Sequence, residues 1–225
     1  MIATLLIACV GPMQSWGTRS RFEIRDTEKE PTKSGIIGMI GAAQGRDREA
    51  PIADLTDLWM GVRVDREGLL RRDFQTAQNV AVASGGSPEN QISSRFYLAD
   101  AAFLVGLEGP LAVLEQIHTA LRQPHWPIFL GRKSYLPSLP PYLADGLKIG
   151  RSLRQALCSY PLLISGESEE APAATARTVR MVLEARSVTP ETRKDQPVSY
   201  SIARRTYRTR YVTTEQVHIM PTGPH

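Results

Sequence analysis

IATLLIACV, residues 2–10, is apolar at every position except Thr4, and its length is that of one strand. An apolar run this short reads as a strand buried on both faces, in the middle of a sheet. It is too short to cross a bilayer. It also lacks the basic start and small-residue cleavage site of a secretory signal, so a cytoplasmic protein is expected. From this central strand the rest of the chain can be placed outward. GPMQSWG (11–17) is bounded by glycines and forms a loop. Residues 18–31 are mostly charged and exposed. PTKSGIIGMIGAA (31–43) follows, with Pro31 at the start and Thr32 or Ser34 as cap, and predicts a helix from Lys33 to Ala43.

LWMGVRV (58–64) is a second strand and YLADAAFLVGL (97–107) a third. GPLAVLEQIHTALRQ (109–123) carries Leu111, Leu114, Ile117 and Leu121 on one helical face. WPIFLGR (126–132) reads as a short fourth strand. The order strand, helix, strand, strand, helix, strand is the split βαβ, ferredoxin-like pattern of an α+β protein. Between the second and third strands the polar stretch 67–95 is too long for a simple turn. Beyond the proline-rich YLPSLPPY (135–142), a short helix is expected near 152–158. An acidic linker follows, SGESEEAPAATA (165–176), and then three strands over 177–185, 197–203 and 204–212. The predicted organisation is a ferredoxin-like domain over 1–145 and a β-rich, basic C-terminal region over 146–225.

The chain has 225 residues, 42% of them hydrophobic, which is the composition of a globular protein. Two cysteines, Cys9 and Cys158, make neither a disulfide framework nor a metal set, and both are expected as buried thiols. The net charge of +4 tilts towards an anionic partner. Its distribution says more. Arg204, Arg205, Arg208 and Arg210 crowd one segment, Arg132 and Lys133 another, Arg71 and Arg72 a third, with Tyr135, Tyr200, Tyr207 and Tyr211 interleaved. Phosphate-binding charge beside stacking rings is the composition of a nucleic-acid surface.

Three stretches are candidate sites. In 31–43 the positions that a Walker loop requires as glycine, ahead of Lys33 and Ser34, are Thr27 and Thr32. The glycines also sit inside the helix rather than after a strand, so no mononucleotide pocket is expected. What remains is a helix start whose amides attract anions, with Lys33 and Ser34 adding a charge and a hydroxyl. Phosphate contact is expected at Lys33, Ser34 and Gly35. Gly35, Gly38 and Gly41 form a stripe, each costing about 1 kcal/mol relative to alanine. Close packing or an apposed backbone must offset that. In 11–17, Trp16 either caps the core or stacks on a base, and Gln14 and Ser15 are placed to read base edges. In FLGRKSY (129–135), Gly131 lets the backbone approach something closely, while Arg132, Lys133 and Tyr135 supply charge and a ring. Catalysis has little support. His118, His125, His218 and His225 show no metal spacing, and no H-E-x-x-H, C-x-x-C or G-x-S-x-G occurs. A metal-free RNA cleavage site would need His125 with Lys133 and Tyr135.

Taken together, GPMQSWG, PTKSGIIGMIGAAQG (31–45) and LGRKSY (130–135), in this order, resemble the CasD family, a subunit of Cascade, the type I-E CRISPR surveillance complex. The resemblance covers about the first 145 residues. It implies a ferredoxin-like, RNA-recognition-like RAMP domain with a long β-hairpin thumb at 67–95. It implies an antiviral-defence role that caps the 5′ handle of the crRNA, with no cofactor and no membrane. The implied partners are the Cascade large subunit and the terminal backbone subunit, with target DNA met indirectly through the complex. In type I-E systems a different subunit cuts the crRNA, whereas a related type I-C family cleaves with histidine, lysine and tyrosine. By similarity Lys33, Ser34 and Gly35 would hold handle phosphates, flanked by Arg132, Lys133, Ser134 and Tyr135. Gln14, Ser15 and Trp16 would lie beside the handle bases. Arg71, Arg72 and Arg95 would clamp the RNA at the roots of the thumb, and Arg204 and Arg205 would add charge.

Overall fold

The computed structural model describes residues 1–18, 24–82, 85–164 and 176–219. The predicted linker therefore lies outside the described residues except for Ala176, as does His225. The central strand is β1 (Ile2–Val10). On one side it pairs antiparallel with β7 (Ala102–Pro110), from Ile2 opposite Pro110 to Val10 opposite Ala102. On its other side lies β8 (Tyr142–Ile149), with an irregularity between Leu5 and Ile7. β4 (Trp59–Arg66) adds to β7, and β9 (Arg177–Glu184), β11 (Thr206–Ile219) and β10 (Thr192–Ser199) continue outward. The seven-stranded order is β10-β11-β9-β4-β7-β1-β8, antiparallel throughout. The molecule is thus a mixed α+β protein built mainly on antiparallel sheet.

Because side chains alternate along a strand, β1 feeds two cores. Leu5 and Ile7 pack with Val62, Phe103 and Val105 under α1 (Lys33–Ala43) and α3 (Leu111–Arg122). Leu6, with Leu104, Met181, Val217 and Ile219, packs under α4 (Leu153–Ser159). α4 begins at a capping box in which Ser152 accepts from the Gln155 amide and the Gln155 side chain accepts from the Ser152 amide. A short α2 (Ala53–Thr56) leads into β4. On the α4 side the fully buried Arg63–Asp65 pair joins the sheet to the chain after α4. Arg63 donates to the carbonyls of Leu157, Tyr160 and Pro161, and Asp65 accepts from the Leu163 amide.

A second sheet stands off the first. β5 (Leu69–Val80) and β6 (Glu89–Ala99) form a long antiparallel hairpin between β4 and β7, and two-residue strands β2 (Met13–Gln14) and β3 (Ile24–Arg25) pair with β6.

The structure corrects three predicted strands, of which that over 197–203 is strand only to Ser199, the end of β10, before the turn. The third, over 97–107, breaks at Asp100, whose φ of +56° ends β6 before β7 begins. The fourth, over 126–132, is not a strand. The amides of His125 and Trp126 donate to the carbonyls of Ala43 and Ala42, so this segment closes the end of α1 instead of pairing in the sheet. β8 takes the place beside β1. Position 145, the predicted domain boundary, falls inside β8, and β9–β11 extend the same sheet beyond β4.

Among the described residues no helix is long and apolar enough to cross a membrane. Of the two thiols, Cys9 is fully buried, which pushes its pKa up to about 12, whereas Cys158 is only partly buried. A native chain titrated with a thiol reagent is expected to lose one fast-reacting sulfur, absent in Cys158→Ser, with Cys9 reacting only on unfolding. Two fast thiols in the native chain would contradict this packing.

Candidate nucleic-acid interface

Each of the three predicted stretches proves to be held by other parts of the chain, and this decides which residues remain free for a ligand. Gln14 is fully buried. Its Nε2 donates to the carbonyls of Cys9 (3.0 Å) and Ala101 (2.8 Å), and its Oε1 accepts from Trp16 Nε1 at 3.2 Å. Ser15 is also buried, its hydroxyl donating to the carbonyls of Asp26 and Phe96. Trp16 is 1% exposed and lies against the first turn of α1, where a Cβ on Gly35 would come within 2.7 Å of its ring. The loop 11–17 therefore knits the two sheets to α1. The side-chain polar atoms of Gln14 and Ser15, expected to read base edges, are engaged inside the chain, and Trp16 caps the core, one of its two expected roles.

The start of α1 is corrected in the same way. Thr32 is the cap, its hydroxyl accepting from the Gly35 amide at 3.2 Å. The anion at this positive helix end is the chain's own. Asp195 of β10 accepts from the Lys33 amide at 2.8 Å and from Arg210 Nε and Nη2 at 2.7 and 2.9 Å. Lys33 is 1% exposed, and its ammonium donates to both Glu184 oxygens at 3.1 and 3.0 Å. Burial pulls the Lys33 pKa below its ordinary value, against the opposing pull of Glu184. The Ser34 carbonyl accepts from the Tyr200 hydroxyl, and Gly38 lies beneath that ring. So Lys33 and Ser34 dock α1 onto the β9–β11 side, and Gly35 makes room for the Trp16 ring, whereas Gly38 meets Tyr200 only at ordinary contact distance. Gly41 alone in the stripe faces open space.

At 129–135 the expected close approach is real, and its object is Ser15. Gly131 has φ +93°, and a Cβ there would stand 1.8 Å from the Ser15 carbonyl oxygen, so only glycine fits. Arg132 is a strut. Its guanidinium donates to the Tyr135 hydroxyl (2.9 Å) and to the carbonyls of Arg25 (3.2 Å) and Phe96 (3.1 Å). Tyr135 is 5% exposed, packed 6.0 Å from the Tyr97 ring, so it presents no face for stacking. Lys133 and Ser134, between them, are exposed.

The hairpin supplies the rest. Residues directly opposite across strands share a face. Arg71 lies opposite Tyr97, and a row Arg25, Arg95, Asp73 runs across β3, β6 and β5. Arg72 lies opposite Phe96 on the other face and donates to Ser94 Oγ. The predicted clamp of Arg71, Arg72 and Arg95 is thus divided between two faces. One face gathers Arg25, Arg71 and Arg95 beside Tyr97 and the 130–135 loop. Arg25 was missed because residues 18–31 showed only scattered charge; its parallel pairing with Arg95 is a tertiary feature. Arg71 and Lys133 carry no side-chain partner among the described residues, and Arg95 donates only to Ser93 Oγ, at 3.3 Å. Arg204 and Arg205 are exposed in the turn between β10 and β11.

Two residues of the cleavage alternative, His125 and Tyr135, have different neighbours. His125 packs on Gly45, 5.1 Å from the Trp126 ring, and lines a groove of about 810 Å³ with Gln44 and Glu115 between α1 and α3. Tyr135 belongs to the other loop end, under Arg132. Among the described residues no group of three or more His, Cys, Asp or Glu side chains is placed to hold a metal.

Comparisons with known proteins agree over nearly the whole chain. The family model for CRISPR-associated protein (Cas_Cas5) matches residues 4–213. The CRISPR system Cascade subunit CasD of Escherichia coli (strain K12) is 31% identical over 152 residues, covering 60% of this chain and 67% of that protein. Among solved structures, a Cas protein crystal structure has 44% identity and a TM-score of 0.77, covering 99% of this chain and 100% of its own. A chain of a CRISPR RNA-guided surveillance complex has 33% identity and a TM-score of 0.80, covering 98% of this chain and 94% of its own.

Proposed function

The chain belongs to the Cas5/CasD family of CRISPR-associated proteins, and from that membership we propose that it is a guide-RNA-binding subunit of a type I-E Cascade complex in the cytoplasm. It closes round the 5′ handle of the crRNA, bridges the large subunit and the terminal backbone subunit, and does not cut the RNA. The order β8-β1-β7-β4, with α1 after β1 and α3 after β7, is read as the ferredoxin-like RAMP domain, and β5–β6 as its thumb. The observation that carries the reading is the cationic face at the hairpin root. There Arg25, Arg71 and Arg95, with Lys133 and Ser134 of the adjacent loop, stand exposed or half-exposed, while Lys33, Arg193 and Arg210, which serve the fold, are ion-paired. Target DNA is met through the complex.

Non-cleaving binding is supported by the packing of His125 on Gly45 and by the use of the Tyr135 hydroxyl as acceptor for Arg132. Incubating the full chain with end-labelled repeat RNA in EDTA tests both parts. The RNA is expected to be retained intact, with affinity falling steeply as salt rises, since phosphate contacts dominate. Failure to bind handle-bearing RNA would overturn the proposal. Metal-independent cleavage abolished by His125→Ala would replace it with the endoribonuclease reading.

A further inference from the structure

The turn joining β10 to β11, with the start of β11, carries a second basic group on other elements than the hairpin root. Arg204, Arg205 and Arg208 are exposed, and among the described residues their side chains have no hydrogen-bond, ion-pair or ring partner. The contrast with their neighbours on the same two strands is sharp. Arg210, two residues beyond Arg208, is bidentate to Asp195, and Arg193 on β10 pairs with Glu30 and Glu191. Where an arginine serves the fold, this hairpin gives it a carboxylate. Three like charges within five residues repel one another when left without counter-ions, and nothing in the fold requires them.

The backbone that presents them is held in place. The Tyr200 hydroxyl donates to the Ser34 carbonyl on α1, and the Ile202 amide donates to Glu49 Oε1 at 3.3 Å. Within the turn, the Arg204 amide donates to the Ser201 carbonyl (3.2 Å), and Thr206 Oγ1 donates to the Arg204 carbonyl at 2.8 Å. Ser201 is buried. Glu49 accepts from the Ile202 amide and forms no ion pair with the three arginines. Half-buried Tyr207 sits between Arg205 and Arg208.

We propose that this braced turn and the first residues of β11 form a phosphodiester-binding knob: Arg204, Arg205 and Arg208 grip successive phosphates of a nucleic-acid backbone, at a site built from other elements than the hairpin root. Guanidinium groups suit phosphate because their donors form a planar fork, and a fixed turn spares part of the ordering cost. The proposal rests on the RNA-binding reading only in taking nucleic acid as the partner. The same chemistry is offered by the guide RNA and by a DNA duplex.

The test uses the full chain and the triple variant Arg204→Gln, Arg205→Gln, Arg208→Gln, with thermal unfolding to verify that the exposed substitutions leave the fold intact. Fluorescence anisotropy would follow binding of single-stranded handle RNA and of an unrelated DNA duplex between about 50 and 200 mM salt, the range over which phosphate contacts are read. The expected result is a loss of affinity of about thirtyfold or more on at least one arm, even at 200 mM salt. The salt slope should shrink there by about 2 for RNA or about 3 for duplex DNA, three contacts at about 0.7 or 0.9 each. Loss on the RNA arm assigns the knob to the guide, and loss on the DNA arm assigns it to target duplex. If the parent chain binds and the variant matches it in affinity and slope on both arms, the knob is overturned. If the parent chain binds no RNA, the preceding reading fails instead.

Discussion

An Asp195→Ala chain is expected to lose about 3–5 kcal/mol of folding stability, the cost of breaking a buried ion pair by removing one partner. For a chain of this size that is a fall in melting temperature of about 6–20 °C. Asp195 is 1% exposed and receives three hydrogen bonds: two from Arg210 and one from the Lys33 amide at the start of α1. Without it, Arg210 keeps only Glu184, at 3.9 Å, and the positive end of the helix loses its anion. Lys33→Met should cost less. Glu184 would still accept from the Met60 amide at 3.1 Å and stay near Arg210. The pKa of Lys33 says the same thing. Burial lowers it below 10.5, so between the two values the unfolded chain binds more protons than the folded one, and stability rises with pH there. The charge of Lys33 is thus a cost at neutral pH, and Lys33→Met should flatten that alkaline rise. Chemical denaturation of the parent and both variants across pH checks this. The same preparations decide what Lys33 is for. An internal pair predicts unchanged RNA affinity in Lys33→Met; a phosphate contact predicts its loss.

How the chain folds could be read where a signal is local. The strand at 2–10, the helix at 33–43 and the helix at 109–123 have short-range causes: an unbroken apolar run, a proline and threonine before an apolar periodicity, and a leucine stripe. The structure places them at Ile2–Val10, Lys33–Ala43 and Leu111–Arg122. β8 escaped because YLADGLKI is an edge strand, half exposed, with Asp145 and Gly146 interrupting its alternation. WPIFLGR looked more like a strand, yet its neighbourhood is fixed by carbonyls at the end of α1, some 80 residues earlier. The site failed for a related reason. A lysine and a glycine at a helix start are the same letters whether the anion is a phosphate or an aspartate from another strand. The separation of 162 residues between Lys33 and Asp195 leaves no trace in the local pattern. Gln14 and Trp16 were singled out correctly as special, but they are special because they satisfy one another in the core. Lys133 and Ser134 needed no long-range knowledge, since exposed polar residues on a glycine-turned loop are what they seem.

Reversing charge at the hairpin root, Arg71→Glu with Arg95→Glu and Lys133→Glu, is expected to weaken binding of handle-bearing RNA at least a hundredfold at about 150 mM salt while leaving the fold stable. On the stability side, among the described residues Arg71 and Lys133 have no side-chain partner, and Arg95 gives up its 3.3 Å bond to Ser93 Oγ. Exposed charges of this kind contribute little to folding, so the melting temperature should move by no more than a few degrees. On the binding side, three phosphate contacts on a single strand contribute about 2 to the slope of log affinity against log salt. Their loss removes most of two decades at that salt, and three introduced carboxylates add repulsion. The slope should therefore flatten as affinity falls. Arg72→Glu, on the opposite face of the same hairpin, is the internal control. It changes net charge, but it lies on the face away from Tyr97. An equal loss from Arg72→Glu alone would show that the chain responds to overall charge and not to a built face. Retention of full affinity by the triple variant would remove the hairpin root from the interface altogether. Arg132→Ala completes the separation of roles. Its guanidinium braces Tyr135, Arg25 and Phe96, so its loss should lower stability and RNA affinity together, whereas the free cations at the root should lower affinity alone.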